Sequence, residues 1–167
     1  MNFKINIPVL LFVALSVFAG CGRSGEEAIF VVPENYTGYI LVIYDQENGA
    51  EKEYKDKARI YRIPSNGILL SKFPTNPGWS DFPKFYYRNI DQENELRFTM
   101  DRELPADTVI ATGGSSGYAS RDSEGKKGIR FVQYYIGTKD QIDEAYEEAE
   151  NLDIVKLVDT SQTREGL

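Results

Sequence analysis

"AIFVVPENYTGYILVIYD", residues 28–45, decides the fold. It holds two short runs rich in β-branched and aromatic residues, "AIFVV" (28–32) and "YILVIYD" (39–45), on either side of a loop built from Pro33, Asn35 and Gly38. Runs of this length, bounded by turn residues and lacking a 3.6-residue period, read as strands, and the second has the continuous apolar character of a buried one.

The pattern repeats downstream. "QENGAE" contains Asn48-Gly49, a strong hairpin signal because both turn positions tolerate positive φ. The expected return passes through Lys52 to Tyr54 and into "ARIYRI" (58–63), "PSNG" makes a turn, and "ILLS" (68–71) is the next strand. Pro74, Pro77, Gly78 and Pro83 mark 73–83 as a loop. Further strands are expected at 84–89, 95–100, 108–112 and 128–137, giving about eight at the spacing of a sandwich. The glycine-rich "ATGGSSGYAS" (111–120) reads as part of a flexible loop that continues through "SRDSEGKKG". No long helical pattern separates the strands, so a parallel β-α-β architecture is not expected.

One helix is well signalled, from about Lys139 to Glu150. Thr138 and Gln141 have capping-box spacing, Asp140 and Asp143 lie near the positive helix end, and Ile142, Ala145, Tyr146 and Ala149 form one stripe. Glu144, Glu147, Glu148 and Glu150 mark its outer face. "IVKLV" (154–158) suggests a last strand, followed by a mobile tail. The expected fold class is mainly β: an antiparallel β-sandwich, transthyretin-like or immunoglobulin-like, with one C-terminal α-helix. That similarity is a fold-level analogy.

The N-terminus has a different character. Lys4 precedes an apolar stretch from Ile5 to Phe18, which ends in Ala19 and Gly20 and leads directly to Cys21. This is the order of a secretory signal, and a helix of about 14 residues rises only about 21 Å, short of the roughly 30 Å of hydrocarbon a permanent span must cross. Phe18-Ala19-Gly20-Cys21 resembles the lipobox of bacterial lipoproteins, in which the cysteine thiol takes a diacylglyceryl group and becomes the new N-terminus. Phe18 stands where that pattern usually has Leu. The expected organisation is a signal peptide over 1–20, a lipidated tether over 21–27, one sandwich domain over 28–160 and a tail over 161–167. The expected address is the bacterial cell envelope, as a lipid-anchored protein of the outer membrane on its periplasmic or surface face, with acyl chains such as palmitate on Cys21.

Composition narrows the chemistry. The 167 residues carry a net charge of −7, so phosphate neutralisation is a poor role and nucleic acid is not an expected partner. With no histidine, there is no Ser-His-Asp triad and no histidine metal ligand. The chain has one cysteine, so no intrachain disulfide forms, and acylation would leave residues 22–167 without a thiol. No metal and no cofactor is expected.

Three segments compete as sites. "FPTNPGWSDFPKFYY" (73–87) interleaves aromatics with Pro, Gly, Asn and Asp, and Trp79, Phe82 and Tyr86 are its candidate ligand-binding residues. The competing reading makes Phe85 and Tyr87 core, with Trp79 and Phe82 covering the sandwich end. In 111–120, Ser115 and Ser116 lack a neighbouring base, and no Gly-Lys-Ser/Thr follows to make a phosphate loop. Asp-Gln-Glu-Asn occurs at 45–48 and again at 91–94. Oxygen-rich turns can bind calcium, but neither copy has the closing glutamate of a twelve-residue loop, and two polar turns explain the repeat better.

The segments "VPENYTGYILVIYD" and "RIYRIPSNGILLS" carry a family resemblance. Pro33, Glu34, Tyr36 and Gly38, then Arg59, Tyr61, Ile63, Pro64, Gly67 and Ile68, and later Gly137-Thr138, make the chain similar to a family of bacterial lipoproteins classed as a domain of unknown function. The resemblance covers most of residues 29–140. It implies secretion and a β-rich domain, and brings no catalytic residues.

The first expected function is a non-catalytic, envelope-anchored binding or assembly module that contacts a protein or glycan partner. The alternative is an inhibitor or immunity protein that meets a basic enzyme through the acidic helix. A third reading, a carboxylate-dependent hydrolase, requires two acids roughly 5–9 Å apart in a cleft.

Overall fold

The computed structural model describes residues 24–120 and 128–164, with side chains to Asp159. Ten strands and two helices follow in order: β1 Ala28–Val32, β2 Gly38–Ile43, β3 Glu53–Lys55, β4 Ala58–Arg62, β5 Ile68–Leu70, β6 Lys84–Tyr87, β7 Glu95–Leu96, β8 Phe98–Thr99, β9 Ile110–Ser120, β10 Gly128–Gly137, α1 Lys139–Glu150 and α2 Ile154–Arg164.

The chain is mainly β and forms two five-stranded sheets, β3-β4-β1-β6-β7 and β5-β2-β10-β9-β8. Period-two alternation gives each strand one face toward the other sheet. Phe30 and Val32 of β1, Tyr61 of β4, Phe85 of β6 and Leu96 of β7 meet Ile40 and Val42 of β2, Val132 and Ile136 of β10 and Ala111 of β9 in one core. Phe30 is its hub: its ring stacks on Tyr61 at 5.0 Å and Phe85 at 4.9 Å and tilts against Tyr134 at 4.8 Å.

The helices cover the far face of the second sheet. Ile142, Ala145 and Ala149 of α1 pack on Ile110 and Tyr135, and Ile154 and Val158 of α2 pack on Leu41, Ile43 and Ile129. The expected α1 limits are met, and so is its stripe except at Tyr146, which is half exposed and only tilts against Tyr135 at 5.6 Å; the Thr138 N–H donates to Gln141 Oε1 at 3.0 Å as a capping box requires.

Strand pairing departs from the sequence reading. Both sheets are mixed rather than purely antiparallel: β1 runs parallel to both β4 and β6, β2 parallel to β5, and β8 parallel to β9. The parallel neighbours of β1 and of β2 are reached by excursions through the opposite sheet, and β8 leads to β9 through the segment 100–109; none of these connections is a crossover helix. Asn48-Gly49 does not close a hairpin. The Gly49 N–H donates to the Gln46 carbonyl at 3.0 Å, Ala50 bridges Ser71, and the chain crosses from one sheet to the other. The hairpin turn lies at Asp56 and Lys57, both at positive φ, between β3 and β4. "ELRFTM" also divides at Arg97: Leu96 pairs with Phe85 in one sheet and Phe98 with Ala111 in the other.

Two further expectations are overturned. Residues 111–120 belong to a strand, β9, registered against β10 from Ile110 to Ser120, while 121–127 lie outside the described residues. Residues 154–158 begin a helix, not a strand, and that helix carries the expected mobile tail as far as Arg164.

The segments that carry the family resemblance meet in space. Gly67 sits at φ +76°, where a Cβ would run into the Tyr36 hydroxyl and the Tyr39 carbonyl. That hydroxyl donates to the same Tyr39 carbonyl, and the Tyr87 hydroxyl donates to the Tyr36 carbonyl at 3.1 Å. Tyr36 thus pins the entry of β2 to the turn before β5. Burial raises its phenol well above the ordinary value.

Candidate functional site

The site lies at the open end of the sandwich, where β9 and β10 run past the end of β2. There β9 and β10 stay paired out to Ser120 and Gly128, while β2 stops opposite Phe131. The gap left between the sheets is a cleft of about 380 Å³. Phe30, Tyr61 and Tyr134 form its floor, and Tyr44, Val132 and Ser116 one side. The other side is the loop between β5 and β6, through Asn76, Ser80 and Asp81, with Arg130 also in the lining. Asp81 is the one carboxylate of the described lining, and Arg130 has no carboxylate paired with it among the described residues.

The floor is aromatic and nearly dry. Burial pushes the Tyr134 phenol from 10.0 up to about 12, with Tyr61 adding to the effect. Burial raises Tyr44 further, and its neighbours Tyr61 and Tyr134 act in the same direction. These hydroxyls are therefore protonated, neutral hydrogen-bonding groups at physiological pH.

The loop wall is fixed by the start of the described chain. Gly25 N–H donates to the Trp79 carbonyl at 2.8 Å, Glu26 N–H to Asn76 Oδ1 at 2.9 Å, and Asn76 Nδ2 back to the Glu26 carbonyl at 2.6 Å. Ser24 bridges Trp79 in parallel. Beneath them Arg59, 6% exposed at its side chain, reaches Glu26 Oε2 at 2.5 Å and the Pro74 carbonyl at 2.5 Å. Its guanidinium lies 4.8 Å from the Phe73 ring centroid. Residues 24–27, expected as a free tether, are thus built into the domain.

The three expected aromatics separate. Trp79 is 92% exposed and Phe82 69% exposed, both on the loop that walls the cleft. Phe82 retains a tilted contact with Phe98 at 5.7 Å. Tyr86 is buried and corrects the grouping: it points away from the cleft because Phe85 beside it points inward, and it packs with Ile29, Val31, Ala58 and Ile60 on the outer face of the first sheet. Phe85 is core and Tyr87 packs against it, as the competing reading had it, but Trp79 covers nothing.

Sequence reasoning passed over Tyr44, Asn76 and Arg130, and weighed Ser116 only as a nucleophile. Asn76 and Ser116 lay in segments singled out by their composition. Tyr44 and Arg130 join them through pairing across the second sheet, which no local pattern shows.

The remaining candidates resolve simply. Asp91 caps a 3₁₀ turn, Gln92–Asn94, by accepting from Asn94, and Gln46 Nε2 donates to the Tyr44 carbonyl at 2.6 Å, so both Asp-Gln-Glu-Asn copies serve turns. No cluster of three metal-ligating side chains occurs among the described residues. Glu144, Glu147, Glu148 and Glu150 face solvent along α1. No helix among the described residues is long and apolar enough to cross a membrane. Cys21 lies outside the described residues.

The fold and cleft define a two-sheet β domain with an aromatic-floored opening at one end. Residues 24–146 match the family described as "Family of unknown function (DUF6843)", and the chain belongs to that family. Among solved structures, the chain is similar to the crystal structure of a "Putative Lipoprotein from Bacillus anthracis", at 14% identity and a TM-score of 0.49, over 70% of this chain and 73% of that one. No curated protein matches the chain.

Proposed function

We propose that the protein is a non-catalytic binding module of the bacterial cell envelope, held to a membrane by acyl chains on Cys21 and taking a saccharide-sized ligand in the cleft between its sheets. The observation that supports this reading is the cleft itself. Its volume of about 380 Å³ falls in the range of small-ligand sites. Its partly exposed rings, Tyr44, Phe131 and Tyr134, offer apolar surface over a buried floor of Phe30 and Tyr61, while Asn76, Ser80, Asp81, Ser116 and Arg130 surround them with hydroxyl, amide and charged groups. Rings for the apolar face of a sugar and planar polar groups for its hydroxyls are the combination a glycan requires.

The membrane part rests on the lipobox-like Phe18-Ala19-Gly20-Cys21 behind an apolar leader. Several acyl chains on one residue hold stably, since each buried methylene contributes about 0.8 kcal/mol.

The test is a panel of cell-envelope saccharides presented to the lipidated protein and to Ser116→Trp. That substitution fills the cleft from an exposed strand position and leaves the core alone. Binding by the parent that is lost in Ser116→Trp supports the site. Binding unchanged by the substitution removes it. Mass measurement of the protein from its host's membranes, with Cys21→Ala as control, checks the anchor.

A further inference from the structure

The exposed aromatics of the loop lie beside the first described residues, and the proposed anchor precedes those by three positions in sequence. Cys21 is three residues before Ser24, so its Cα lies within about 11 Å of the Ser24 Cα whatever path the chain takes. Ser24 bridges Trp79, and the next residue donates its N–H to the Trp79 carbonyl at 2.8 Å. Any acyl chain on Cys21 therefore enters the membrane within a short reach of an indole that is 92% exposed, with Phe82 at 69% on the same loop. Large exposed aromatics are unfavourable in water and favoured at the level of lipid headgroups, where a ring meets the acyl boundary and the indole N–H still finds a polar partner.

We infer that the Trp79–Phe82 segment is a membrane-contact loop, which seats its two rings in the bilayer interface beside the lipidated cysteine. This rests on the anchoring reading above. It also gives the hydrogen bonds of residues 24–26 a use. A flexible tether would leave the domain free to tumble over the surface, whereas Ser24, Gly25 and Glu26, bonded to Trp79 and Asn76, fix which end faces the lipid. That end is the one carrying the cleft, since Asn76, Ser80 and Asp81 wall it. The cleft opening then lies near the membrane, within reach of an envelope glycan whose own lipid is in the same leaflet.

The chain supplies its own probe, because Trp79 is its only tryptophan. The protein is purified from its host's membranes, placed in phosphatidylcholine vesicles with or without brominated acyl chains, and its emission is read with iodide as a quencher in the water. Most of the emission should be lost to the brominated lipid and little to iodide. Phe82→Ala, with the fold checked by circular dichroism, should lessen the loss to brominated lipid.

Emission untouched by brominated lipid and quenched by iodide would overturn the inference. So would emission reached by neither quencher, which would place the indole against protein. The mass at Cys21, read on the same sample, separates the two claims. An acylated Cys21 with Trp79 in water defeats the membrane-contact loop alone. An unmodified Cys21 with Trp79 quenched by brominated lipid keeps the loop and defeats the anchor, and an unmodified Cys21 with Trp79 in water defeats both.

Discussion

Glu26→Ala should loosen the wall of the cleft by a measurable amount. Glu26 accepts at 2.5 Å from an Arg59 whose side chain is only 6% exposed, while Glu26 itself is 41% exposed. A hydrogen bond to a charged group contributes about 1.5–3 kcal/mol, and the open carboxylate places this one at the low end, about 1.5–2 kcal/mol. For a domain of this size that corresponds to a fall in Tm of about 4–8 °C. Glu26→Gln keeps an acceptor for the guanidinium and should lose about half as much. The backbone bonds of Gly25 and Glu26 to the loop stay in place in both variants, so the loss should be local as well as global. If the loop opens by that much more often, exchange of the Gly25 and Glu26 amides accelerates by about 10- to 30-fold. Thermal unfolding and hydrogen exchange on the same variants check this. A Tm within about 1 °C of the parent for Glu26→Ala, or Gln and Ala variants that behave alike, would refute the clamp as the element that holds the wall.

Gly67→Ala meets the Tyr36 hydroxyl at a positive φ and should cost about 2–4 kcal/mol, read by denaturant titration, with Tyr36→Phe costing only about 1 kcal/mol for its hydrogen bond to Tyr39. Phe30→Ala should lose about 3–5 kcal/mol at the hub of the core, whereas Trp79→Ala in detergent should stay within about 0.5 kcal/mol, because its ring is 92% exposed and supports nothing in the fold. The protein should lose stability in alkali. Tyr134 is raised from 10.0 to about 12 in the folded state, so its contribution is full below pH 10, where both states are protonated, and is lost as pH rises from there toward 12 because the unfolded chain ionises first. Tyr61 and Tyr44 shift in the same direction, so Tyr44→Phe or Tyr134→Phe should flatten the fall in stability across that window, followed by phenolate absorbance and unfolding midpoints.

Much of the architecture was legible where local pattern and burial agree. β1, β2, β6 and β10 stand where continuous or alternating apolar runs place them, and α1 has the limits its cap and stripe imply. Failures came where a short signal has two readings. "IVKLV" is too short for periodicity to separate strand from helix. The deciding features were Asp153, whose side chain accepts from the Lys156 N–H at 3.0 Å, and the one-turn spacing of Ile154 and Val158 under the sheet. The glycines of 113–117 suggested a loop, yet they make room within a strand. A Cβ on Gly117 would fall inside the Phe131 ring opposite, and the register shifts between Gln133 and Tyr134 where Gly113 and Gly114 take φ of +106°.

The cleft was illegible for a different reason. Its floor joins Phe30, Tyr61 and Tyr134, and its walls join Asn76 to Ser116, none of them close in sequence. What brings them together is pairing across sheets, because β1 takes parallel partners on both sides and the chain must cross to the opposite sheet between them. Each crossing leaves a segment at an end of the sandwich. The segment from β5 to β6 became a wall because Arg59 faces inward beneath it and binds both the Pro74 carbonyl and Glu26. Arg59 could be read in the sequence only as one residue of an alternating strand. Its place at the end of that strand, where an inward side chain meets the loop and the first described residues instead of the core, makes it the tie between residues 24–26 and the cleft.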